Sequence, residues 1–260
     1  MDTRIMMKKH TIAAVTALLA AVLAGAQTKG LDKKEDGPQP PMVDPGGPEK
    51  APSDAVVLFN GKDLSSWMMA DGQPAEWTLQ EGALVCRTGA GDLYSREKFR
   101  SAQIHLEFNV PSMPGQSGQA RGNSGVMFHD RSNEIQILDS FQNPTYADGV
   151  CGALYGVSAP QVNAYRRPGE WQTYDIIYHA PHCGTGGQVQ TPGSLTLLRN
   201  GVVIQDHVAD APRSGCVEEG PLILQDHNGF GGKRVPATMT MKAPVTLMRF
   251  RNIWLRRLPD

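Results

Sequence analysis

Two short stretches carry side chains whose types and spacing could do chemistry. EIQILDS (134–140) places a carboxylate, an amide and a second carboxylate within seven residues of β-like sequence. PLILQDHNG (221–229) places an amide, a carboxylate, an imidazole and a second amide at the end of an apolar run. Carboxylate with imidazole is the raw material of general acid–base catalysis. Amides beside them suit the recognition of hydroxyl groups.

Side chains alternate across a strand, so parity assigns faces. In EIQILDS, Glu134, Gln136 and Leu138 share one face, and Ile135, Ile137 and Asp139 share the other. The isoleucines mark the core side, which turns Glu134 and Gln136 outward or into a cleft. Asp139 is therefore not the partner of Glu134 in an acid pair. In PLILQDHNG, Gln225 and His227 share one face and Asp226 the other. If the two strands are near one another, Glu134, Gln136, Gln225 and His227 converge, with His227 or Glu134 able to act as base or acid. Asn123 in the preceding GNSG turn, Tyr155 in GALYG, and Asn228 complete the polar set, with Asp139 and Asp226 as orienting groups. A divalent ion could polarise a substrate carbonyl here, because Glu134, Asp139, Asp226, His227 and His129 are all ligand types. No compact ligand motif such as H-E-x-x-H defines such a site, so the metal set stays open.

These residues need a scaffold. The 260-residue chain is 40% hydrophobic and 20% charged, with a formal net charge of −1. That balance can bury a core and gives no electrostatic footprint for nucleic acid or an anionic membrane. Residues 1–26 read as a signal peptide: Arg4, Lys8 and Lys9, an apolar run, then Ala24-Gly25-Ala26. The expected product is an exported, periplasmic or secreted protein. Residues 27–53 are rich in Pro, Gly and charge and read as a disordered linker. The folded domain is expected over 54–260. Of four cysteines, Cys183 and Cys216 flank one predicted hairpin in loop-like sequence and are the first choice for a disulfide. Cys86, in ALVC, suits a buried thiol equally well.

From residue 56 onward the pattern is β. QIHLEFNV (103–110) alternates cleanly, and LLRNGVVI (197–204) carries Asn-Gly between two apolar runs, a strong hairpin signal. About eleven short strands with turn punctuation predict an all-β antiparallel sandwich. No fixed repeat suggests a propeller. Four tryptophans could stack on sugar rings. Trp171 and Trp254 lie in apolar strand patterns that favour core packing.

LFNGKDLSSW, GNSGVMFH, EIQILDS, GALYG, GEWQTYDIIYHAP, LLRNGVVIQDH, GPLILQDHNG and VTLMRFRNIWLRRL occur in that order between residues 58 and 258. Together they resemble the 3-keto-disaccharide hydrolase domain family, within the concanavalin A-like lectin/glucanase superfamily. The resemblance implies a concanavalin A-like jelly-roll β-sandwich of two antiparallel sheets, export, and action on glycosides oxidised at the sugar C3. Endoglucanases of related fold carry Glu-x-Asp-x-Glu on the sheet; here the strand reads Glu134-x-Gln136-x-Leu138. Retaining hydrolysis needs two carboxyl groups about 5–5.5 Å apart, and this strand supplies one. A 3-keto sugar needs only a base at C2, a donor or metal at the C3 oxygen, and an acid at the leaving group. The expected function is cleavage of 3-keto-glycosides by C2 deprotonation, elimination and hydration, with Glu134 and His227 as the catalytic pair. The alternative of a different class is a non-catalytic carbohydrate-binding jelly-roll module.

Overall fold

The structure, a computed structural model, describes residues 38–131, 133–210, 215–227 and 248–259. The compact unit that carries the site spans Val43–Asp260. It is a jelly-roll sandwich of two antiparallel sheets, as the strand pattern predicts.

The larger sheet is built on β6 (Ala102–Asn109), β9 (Trp171–His179) and β15 (Arg249–Arg257). It runs in the order β13 (Val202–Asp210), β12 (Gly193–Arg199), β9, β6, β15, β4 (Ala83–Val85), β3 (Thr78–Gln80), with β1 (Val56–Phe59) also paired to β15. The smaller sheet runs β2 (Trp67–Met69), β5 (Leu93–Phe99), β14 (Gly220–Leu224), β7 (Asn123–Phe128), β8 (Glu134–Leu138). A two-stranded ribbon of β10 (His182–Cys183) and β11 (Val189–Thr191) stands apart.

Period-two alternation decides what the sheets bury. On β6, Ile104, Leu106 and Phe108 are fully buried while His105 and Gln103 point away. Across the gap, Val126 and Phe128 of β7, Ile135 and Ile137 of β8, and Leu222 and Leu224 of β14 join the same core cluster. The parity assigned to EIQILDS therefore holds on its core side. The Asn200-Gly201 turn joins β12 to β13 with φ of +52° and +80°, the positive values that a type I′ hairpin requires. Cys183 and Cys216 form a disulfide with a Cα–Cα distance of 5.5 Å, while Cys86 and Cys151 are buried thiols.

Three differences from the sequence reading have local causes. β5, LYSREKF, was not expected, because only Leu93, Ser95 and Phe99 are buried and the strand otherwise carries charge. Residues 44–53, inside the stretch expected to be linker, form a turn in which Gly47 and Lys50 exchange backbone hydrogen bonds of 2.9 and 3.0 Å. Trp67 and Trp77 take the core positions, each donating its indole N–H to a backbone carbonyl at 2.9 Å. Trp171 and Trp254 instead lie on the outer face of the larger sheet, under Arg251 at 4.2 Å and against His105 at 5.3 Å.

Candidate functional site

The register of the smaller sheet answers whether QDH lies alongside EIQ. Gly125 of β7 is paired with Gln136 of β8, and the Gln225 amide N–H donates to the Gly125 carbonyl at 2.9 Å. Gln225, just past the end of β14, thus sits in one row with Gly125 of β7 and Gln136 of β8. Glycine in mid-strand marks a close approach, and here the approaching group is Glu134. A Cβ on residue 125 would lie 2.5 Å from Glu134 Oε1. The missing side chain lets the Glu134 carboxylate lie flat over β7, where Gln225 Nε2 donates to its Oε2 at 2.9 Å.

The carboxylate is half-buried, and burial pushes its pKa up to about 7. The Gln225 hydrogen bond and the Arg131 charge oppose that rise without cancelling it. Near neutral pH Glu134 is therefore divided between acid and base, the condition under which a carboxyl group moves protons efficiently.

Gln136 is more enclosed than parity alone implies. The GALYG segment lies along the free edge of β8: Gln136 N–H donates to Ala153 O at 2.9 Å, Gly152 N–H to Gln136 O at 2.8 Å, and Tyr155 N–H to Glu134 O at 2.8 Å. Only 1% of Gln136 is exposed. Its Nε2 donates to Gln119 Oε1 at 2.8 Å, and Asn123 Nδ2 donates to the Gln119 carbonyl at 2.9 Å. These bonds leave three amide oxygens, Asn123 Oδ1, Gln136 Oε1 and Gln225 Oε1, buried without a donor among the described residues. A buried acceptor without a partner is costly, so a ligand rich in hydroxyl donors is the natural complement. Tyr155, beside Glu134, pairs its hydroxyl with that of Tyr146.

Asp226 and Asp139 are engaged elsewhere. Asp226 is buried and accepts the Gly89 and Gly91 amides at 2.8 and 3.0 Å, so it fastens the loop before β5. Asp139, also buried, pairs with Arg121 (Nε at 2.9 Å) and accepts the Phe141 amide at 3.1 Å. His129, at the far end of β7, bonds the Val217 carbonyl at 3.1 Å. The ligand types named from sequence are thus dispersed, and among the described residues no three His, Cys, Asp or Glu side chains form a metal-holding group. His227 is exposed two residues beyond Gln225. Asn228 lies outside the described residues.

Sequence reasoning missed Gly125, Gln119 and Arg131. The first could have been found as a glycine inside an apolar strand. Gln119 sits in a single 3-10 turn of helix (Gly118–Ala120) and Arg131 in the turn after β7, and nothing in their local pattern marks them.

A cavity of about 430 Å³ lies on the outer face of the larger sheet, lined in part by Glu107, Arg251, Asn252 and Trp254. Three of its polar groups satisfy one another: Arg251 Nε meets Glu107 at 2.7 Å and Asn252 Nδ2 meets it at 3.0 Å. Asp210, at the end of β13, is also raised by burial, but the Asn133 amide and the Tyr178 hydroxyl serve it. The three open amide oxygens lie with Glu134 on the smaller sheet, which is where we place the site.

The sandwich is shared with solved structures. One from Parabacteroides distasonis, provisionally described as a glycosyl hydrolase, is 38% identical, with a TM-score of 0.76 over 87% of this chain and 95% of that one. A second from the same organism, described in the same way, is 18% identical with a TM-score of 0.56 over 79% and 94% of the two chains, and supports the fold alone. The fold and this likeness together support a carbohydrate-active jelly-roll protein. Residues 54–256 match the 3-keto-alpha-glucoside-1,2-lyase-like domain, and the chain belongs to that family. No curated protein matches the chain.

Proposed function

We propose that this chain is an exported enzyme that cleaves the glycosidic bond of 3-keto-glycosides by elimination followed by hydration. The observation that carries the reading is the Glu134 carboxyl group, raised to about 7 by burial, lying over Gly125 and held by the Gln225 amide. The C3 ketone acidifies the neighbouring C2–H. Glu134 takes that proton and the electron pair passes to O3 as an enolate. The enolate reforms the C3 ketone, the C1–O bond breaks, and the aglycone oxygen leaves with the pair. His227, exposed two residues beyond Gln225, supplies the proton that the leaving oxygen needs. The products are an alcohol and an enone with a C1–C2 double bond; water then adds across it. Asn123, Gln136 and Gln225 offer their unpartnered oxygens to sugar hydroxyls. The Cys183–Cys216 disulfide supports an oxidising compartment.

Incubation with a 3-keto-disaccharide, followed by mass spectrometry, tests this. Wild type should release enone or its hydrate, and Glu134→Gln should not. Absence of turnover by wild type, or binding of the sugar without cleavage, would overturn the proposal in favour of a carbohydrate-binding module.

A further inference from the structure

We infer that Arg131 is a catalytic residue that donates to the C3 oxygen as the enolate forms, with Asp92 as the residue that positions it. This rests on the proposed elimination reaction and assigns the one role in it that the sequence leaves open.

The inference comes from a count of donors. An enolate oxygen must receive hydrogen bonds, and the amides around Glu134 have few left to give. Gln136 Nε2 already serves Gln119 Oε1 at 2.8 Å and Gly149 O at 3.4 Å. Asn123 Nδ2 serves both Gln119 oxygens, at 2.9 and 3.2 Å. Gln225 Nε2 holds Glu134. Turning the Gln225 amide over would set its oxygen against the Glu134 carboxylate, acceptor against acceptor. What these side chains leave open is acceptor oxygens, which suit hydroxyls and not an oxyanion.

Arg131 supplies what is missing. It stands in the turn between β7 and β8, three residues before Glu134, with φ of +70°, a left-handed conformation uncommon for a side chain of its size. Its guanidinium pairs with Asp92, and its side chain keeps 28% of its surface exposed. Asp92 is 1% exposed, and its other oxygen accepts the Asp226 N–H at 2.9 Å. The chain Asp226–Asp92–Arg131 therefore anchors the cation on the loop that Asp226 fastens. A guanidinium has five donors and stays charged at every working pH, so donors remain after the Asp92 contact. Arg131 stands three residues before Glu134, and its anchored charge opposes the rise in the Glu134 pKa. The balance of the step is unchanged: C2–H breaks, the proton goes to Glu134, the pair moves to O3, and Arg131 N–H bonds the new oxyanion without transferring a proton.

Steady-state turnover of a 3-keto-disaccharide by the full chain tests the assignment, with added guanidinium as chemical rescue. Arg131→Ala is made in an Asp92→Asn background, so that no buried carboxylate is left uncompensated. Asp92→Asn alone is the reference. Relative to it, the added alanine should lower kcat by about 10²–10³, the loss typical of one oxyanion donor, and millimolar guanidinium should restore part of it. Arg131→Lys in the natural background should fold as wild type, lose kcat, and not respond to guanidinium. Either Arg131 variant within twofold of its reference, or an Arg131→Ala loss that guanidinium does not relieve, would overturn this inference while leaving the proposed function standing. No turnover by wild type would overturn both.

Discussion

Glu134 owes its character to the three neighbours that surround it. Gly125 makes room, Gln225 holds one oxygen, and Arg131 supplies a charge that only partly offsets burial. As a base it must be ionised, so kcat/KM should rise with pH through about 7. Gln225→Leu removes an interaction that lowers this pKa, and the rising limb should then move to higher pH in a pH–rate profile. A limb that stays in place would show that Glu134 is not the titrating group. Gly125→Ala should push the carboxylate off β7 and lower kcat by about 10²-fold, the scale of a misplaced catalytic group, while circular dichroism stays native. At this scale parity alone gave the partition of Glu134 from the isoleucines. It could not give the anchoring of Asp139 and Asp226. Those carboxylates are held by Arg121 and by the Gly89 and Gly91 amides, which only folding brings near.

Strands legible in sequence are those with unbroken alternation, such as β6, or with a turn whose chemistry is explicit. Asn200-Gly201 is the clearest example. Gly201 has φ of +80°, so Gly201→Ala should destabilise by about 1–2 kcal/mol, read as a shift in the denaturant midpoint without change in slope. Strand β5 was illegible because its surface positions are charged and its inward Ser95 is polar; its burial is a property of the sheet it enters. The cover over Gln136 was hidden for a related reason. GALYG is too short to read as a strand, yet its backbone completes the edge of β8 through the Gln136 amide and carbonyl. That edge contact turns an outward amide into an enclosed one.

The whole sandwich carries two electrostatic loads and one covalent tie. Burial raises Glu134 from 4.5 to about 7 and Asp210 from 3.8 to about 6. Both folded pKa values exceed the unfolded ones, so the folded state binds protons more tightly. Their stabilising contribution is full below about pH 4 and is lost as pH rises toward 7. Asp210→Asn should therefore gain melting temperature relative to wild type as pH rises from 4 to 7; a constant difference would refute the assignment. The disulfide joins residues 33 apart in sequence. On the chain-entropy scale its loss costs about 3–4 kcal/mol, so Cys183→Ser with Cys216→Ser should melt about 10 °C lower. The pair was readable because both cysteines flank one hairpin.

The most direct test of the proposed chemistry follows the hydrogen on C2. A 3-keto-disaccharide labelled with deuterium at C2 of the oxidised ring is cleaved by wild type in ordinary water. Glu134→Gln and an enzyme-free incubation serve as controls for spontaneous exchange. If Glu134 removes that hydrogen to release the aglycone, the released enone carries no deuterium at C2, cleavage shows a primary isotope effect, and the controls keep their label in uncleaved substrate. Cleavage with every C2 deuterium retained, no enone and no isotope effect would contradict elimination and assign the bond breaking to direct hydrolysis.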